Sequence, residues 1–203
     1  MTTNPKSSEV ATQIKNAFDF IQKLYFESSY LIKEIEGQLA EIDNYQFQIL
    51  KPSGYSVSAR SSTGLEPNNV NFWLMRKFSV AFAEKNNEES TTSQTVTEIN
   101  ELLKVLYFKI VLDEKSLSEP KLMFGVFYNI SKKKDWVKKF ENLMGTLEYV
   151  DNKLFSTFPD LEYGDGTFKI SGHFGKVKLL DINSSEELLE KVIKPAIKLY
   201  EKS

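Results

Sequence analysis

The chain is 203 residues long, 41% hydrophobic and 13% aromatic, with a formal charge of −2 and no cysteine. That length and apolar content suffice for a full core, point to one domain, and exclude an intrinsically disordered chain. The absence of cysteine excludes disulfides, thiol nucleophiles, cysteine zinc sites and iron–sulfur clusters, and the near-neutral charge leaves no general field for nucleic acid or for cationic partners.

The first eight residues are polar and read as a flexible leader, with residues 9–203 as a single α+β domain. Met1 to Val10 lacks an apolar h-region, and no later run reaches about 20 uninterrupted apolar residues. The expectation is a soluble, cytoplasmic protein without a membrane contact.

From Gln13 to Ile42, residues Ile14, Phe18, Ile21, Tyr25, Ser28, Ile32, Ile35, Leu39 and Ile42 recur at spacings of four and three, one face of a helix. Ala17, Leu24 and Leu31 widen that stripe to the breadth suited to lying on a sheet. Its length is roughly 45 Å, against a radius of gyration of about 17 Å for a domain of this size. A central core helix is the simplest reading. Phe20 and Phe26 fall off the stripe, so the competing reading is a dimerisation helix with these two rings in a partner's surface, decided by the mass in solution.

Tyr45 to Leu50 and Tyr55 to Arg60 alternate as short strands about the turn Lys51-Pro52-Ser53-Gly54, the pattern of a hairpin. Residues 61–69 form a polar loop. Val70 to Phe82 reads as a central strand bent near Arg76-Lys77, followed by a charged, hydroxyl-rich mobile loop at about 84–95. A short helix over Val96 to Leu103 precedes strands at Leu106 to Leu112 and Lys121 to Ile130. The turn between those strands is too short for a parallel crossover, so they pair antiparallel.

A middle helix is predicted over Lys134 to Val150 from Trp136, Phe140, Leu143 and Leu147. Residues 153–167 carry Pro159, Gly164 and Gly166 and read as loop. Phe168 to Ser171 and Lys176 to Ile182 then suggest a hairpin closed over Gly172-His173-Phe174-Gly175. Ser184 and Glu187 form a capping box for a last helix, Glu186 to Lys202, which Pro195 should kink. The predicted fold is α+β, a mainly antiparallel sheet packed against a long N-terminal helix, a middle helix and a C-terminal helix.

Candidate chemistry is sparse. Arg60 and Arg76 are the only arginines against 24 lysines. Arg60-Ser61-Ser62-Thr63 with Gly64 offers a guanidinium fork and hydroxyls for a small anion, Arg76 lies on the following strand, and Tyr55 and Trp73 offer stacking faces. A P-loop pattern is missing, and pairing of the arginines with Glu66 or Glu84 is the simpler account.

Asp160, Glu162 and Asp165 form a second candidate, as oxygen ligands for a divalent cation. The calcium-loop register fails there, Asp165 taking the glycine position and Ser171 that of the closing glutamate. His173 is the only histidine, and no G-x-S-x-G elbow accompanies it, so no catalytic residue is assigned. The lysines at 132–134, 138 and 139 read as a solvated face with too small a footprint to make nucleic acid the expected partner.

No cofactor is indicated. The function expected from these features is a non-catalytic binding or interaction protein, recognising a protein partner, itself, or a small anion. The alternatives are a divalent-metal-dependent hydrolase or nuclease built on the acidic loop, and a structural subunit of a larger assembly.

Overall fold

A computed structural model describes residues 7–50, 55–57, 74–84, 102–114, 117–132, 143, 146–147, 160–164 and 168–203. Helix α1 spans Ser7–Ala40. The strands are β1 (Phe47–Ile49), β2 (Tyr55–Val57), β3 (Lys77–Glu84), β4 (Val105–Val111), β5 (Lys121–Lys132), β6 (Asp160–Gly164) and β7 (Phe168–Lys178). A 3-10 turn at Leu179–Asp181 leads to helix α2, residues 185–202. The strands form one sheet in the order β1-β3-β4-β5-β7-β6, with β2 also on β3, and every pairing is antiparallel.

Both faces of this sheet are buried, which explains why β4 (VLYFKIV) has all seven residues buried. Leu106, Phe108 and Ile110 point to one core with Val80, Phe82, Leu122 and Val126, closed by Ile35 and Leu39 of α1 and Val192, Ile193 and Ala196 of α2. Val105, Tyr107 and Val111 point to the other, with Phe127, Phe168, Phe174, Leu161 and Tyr163. A T-shaped ring series, Tyr107 to Phe127 to Phe174, crosses this second core at centroid distances of 5.4 and 4.9 Å.

The three-helix expectation is corrected. Among the described residues two helices accompany the sheet, α1 and α2. Of the predicted middle helix only Leu143, Thr146 and Leu147 are described; they are helical, and Leu143 and Leu147 are fully buried in the second core. The predicted hairpin at 45–60 is also corrected. Phe47 faces Glu84 and Ile49 faces Phe82, Leu50 N–H donates to the Ala81 carbonyl at 3.0 Å, and Tyr55 faces Val80. β1 and β2 are therefore successive parts of one edge along β3.

β3 begins at Lys77, where a bend was expected. Asp160–Gly164, expected as loop, is a strand whose exposure alternates strictly, with Leu161 and Tyr163 inside. The hairpin expected over residues 172–175 does not exist: β7 runs unbroken through them. Its glycines serve close approach rather than turning. A Cβ at Gly172 would meet the Phe174 ring, and one at Gly175 would enter the Phe124 ring from the neighbouring strand.

In β5 the register gains one residue between Tyr128 and Ser131, a bulge at which Asn129 takes φ 49°. The extra residue turns Ile130 into the second core. α2 opens as predicted: the Ser184 hydroxyl accepts from Glu187 N–H at 3.1 Å, and Glu187 Oε2 accepts from Asn183 N–H at 2.7 Å. Pro195 is accommodated by a π-helical turn at Leu189–Ile193, where Lys194 N–H reaches back to the Leu189 carbonyl. That wider turn gives the ring room against the carbonyl it would otherwise crowd.

Candidate functional site

α1 is one helix in two environments. Its C-terminal part lies on the sheet, with Ser28, Ile35, Gln38 and Leu39 buried and Tyr25, Leu31 and Ile32 partly so. Gln38 Nε2 donates to the carbonyl and hydroxyl of Ser185, both at 2.8 Å, tying α1 to the start of α2. Every residue from Ser7 to Phe20 is exposed. The expectation of a core helix is thus correct only for the second half.

The exposed arm is nevertheless patterned for burial. At about 100° per residue, Val10, Ala11, Ile14, Ala17, Phe18, Phe20, Ile21 and Leu24 fall on one half of the helix. Ser8, Glu9, Thr12, Lys15, Asn16, Asp19, Gln22 and Lys23 fall on the other, and Ser7 and Gln13 break the division. Phe18 and Phe20 are each 69% exposed, and Ile14 54%. The apolar half continues the row that carries Ser28, Leu31 and Ile35 onto the sheet. Contiguous exposed apolar surface of this kind is uncommon on a monomeric protein. Phe26 and Tyr30 are exposed too, but on the opposite side, beyond Lys23.

A polar cluster occupies the helix-bearing face of the sheet near its β6 edge. Antiparallel pairing sets Asp160 beside His173, Glu162 beside Ser171, and Ser171 beside Tyr128. His173 Nδ1–H donates to Asp160 Oδ1 at 2.6 Å, and the Tyr128 hydroxyl lies 2.8 Å from His173 Nε2, which accepts from it in the matching tautomer. Ser171 donates to Glu162 at 2.9 Å. Burial raises the Tyr128 phenol above its ordinary value, assisted by the negative charges of Glu162 and Asp160, so the phenol stays protonated as a donor. These contacts lash the edge strand to β7 and β5.

Of the anion-site residues only Tyr55 and Arg76 are described. Tyr55 is exposed on β2, and its hydroxyl donates to Glu36 of α1 and accepts from Lys33 Nζ at 3.2 Å. Burial raises its phenol, with the Glu36 contact acting in the same direction. Arg76 pairs with Asp113 at 2.7 Å, where Glu66 or Glu84 was expected. Arg60, Ser61, Ser62, Thr63 and Trp73 lie outside the described residues, as do Asp165 and the 84–95 loop beyond Glu84. Asp160 and Glu162 share one face of β6, engaged by His173 and Ser171, and among the described residues no group of three or more His, Asp or Glu is arranged to hold a metal.

Sequence reasoning missed the Tyr128, Ser171 and His173 contacts because it placed His173 in a turn. The signal that could have found them is the alternation of Asp160-Leu161-Glu162-Tyr163, which puts both acids on one side of a strand. Among the described residues no helix is long and apolar enough to cross a membrane. No protein-family model, curated protein or solved structure matches the chain.

Proposed function

We propose that this chain is a non-catalytic interaction protein whose exposed α1 arm docks a protein partner. The observation that supports this reading is the arm itself: residues 7–20 are uncovered, yet they keep a full apolar half with two phenylalanines largely in solvent. An uncovered row of this kind gains by association and nothing by remaining bare. The small-anion reading has less behind it, since Arg76 is paired with Asp113 and the Tyr55 hydroxyl with Glu36 and Lys33.

Native mass spectrometry of the chain purified from its cells tests the reading. The expected result is a species heavier than the single chain that collapses to the single chain in Phe18→Asp. A single chain alone, in both proteins, overturns it.

A further inference from the structure

We infer that the occupant of the α1 arm is a second copy of this chain, its own arm lying antiparallel across the first about a two-fold axis between Lys15 and Asn16. This rests on the docking reading above and names its partner. Val10, Ile14, Ala17 and Ile21 repeat at spacings of four, three and four, the seam of a helix pair. In the antiparallel register Val10 of one copy lies over Ile21 of the other, and Ile14 over Ala17.

On the flank, Phe18 lies over the other copy's Ala11. Ile14 and Phe18 thus each meet an alanine, a fit that a flat lipid surface has no need of. In the same register Ser7, the first described residue, lies level with the other copy's Leu24, where α1 is partly buried, so the two bodies sit at opposite ends.

Glu9, Lys15, Asp19 and Lys23 alternate in sign and sum to zero. All four lie on the polar half, turned away from the seam, and antiparallel arms keep the two bodies at opposite ends whereas parallel arms drive them together. The polar half also lacks the basic excess that holds an amphipathic helix on anionic lipid. The paired arms bury on the order of 1,000 Å² in total, the lower limit for a specific interface and the range of a reversible dimer.

The chain has no cysteine, so introduced thiols report the register directly. Sedimentation equilibrium of the full chain between 1 and 100 μM on the scale of a reversible dimer is expected to show twice the monomer mass, and Phe18→Asp to raise the dissociation constant by more than about tenfold with an unchanged circular dichroism spectrum. Mixed Val10→Cys and Ile21→Cys chains are expected to form a disulfide-linked pair. Val10→Cys alone should not, because its two copies are then about 16 Å apart along the seam.

A chain that stays monomeric, or Val10→Cys crosslinking to itself, overturns the inference. A heavier species in the cell-derived sample that is not a multiple of the chain, yet is released by Phe18→Asp, overturns the second copy while keeping the docking reading. So does a monomer that floats with 7:3 phosphatidylcholine–phosphatidylserine vesicles only when Phe18 is present, which moves the occupant to lipid and overturns a protein partner as well.

Discussion

Glu187 shows how one carboxylate couples pH to a helix start. The Lys191 ammonium at 2.8 Å and the Asn183 N–H hold its pKa below the ordinary glutamate value. A depressed folded-state pKa contributes stability that is fully present above the unfolded value, near 4.3, and is lost as pH falls through the folded one. Thermal unfolding followed from pH 7 to pH 3, on the two sides of that carboxylate range, should show a smaller acid-side loss in Glu187→Gln than in the native chain. Gly175 is constrained by space instead. Gly175→Ala sets a methyl into the Phe124 ring, and the overpacking should cost about 1–3 kcal/mol in urea denaturation, an effect absent at Gly37, where a Cβ meets nothing within 4 Å.

At the scale of the element, α1 separates two uses of one periodicity. Ile35 is fully buried against the sheet, while Phe18 is mostly in solvent. Ile35→Ala should therefore cost about 2–5 kcal/mol of unfolding free energy, whereas Phe18→Ala should change monomer stability by no more than about 0.5 kcal/mol. Chemical denaturation at low protein concentration measures both, and equal losses would mean that the arm is packed on its own body. α2 absorbs a conflict of a different kind. Its stripe needs Val192, Ile193 and Ala196 on the sheet while Pro195 withholds a donor, and the π turn satisfies both.

For the whole molecule, the sheet centre should be the last part to open. β4 has a hydrogen-bonded neighbour on each side and cores on both faces. Hydrogen exchange should find its amides slowest, with residues 7–20 of α1 fastest in dilute solution. Raising the protein concentration should then slow the arm selectively, because only its bonds gain cover in the pair. Uniform slowing along the chain would contradict a localised contact.

Much of this was legible in the residues because it is local. The alternation of Leu106 to Leu112, the stripe of Gln13 to Ile42 and the Ser184 capping box each encode a backbone state within a few neighbours. Gly172 and Gly175 misled because glycine serves both a tight turn and a close approach, and only the rings of Phe174 and Phe124 tell the two apart. Asp160-Leu161-Glu162-Tyr163 alternates openly, but Pro159 and Gly164 outweighed it.

What the sequence determined by itself is which faces need cover, since periodicity follows from the backbone geometry of each element. What covers each face is a property of distant segments meeting, and the tertiary structure alone decided it. It closed the C-terminal half of α1 on the sheet, set Tyr128, His173 and Asp160 in one row through strand register, and left the apolar half of residues 7–20 open to solvent.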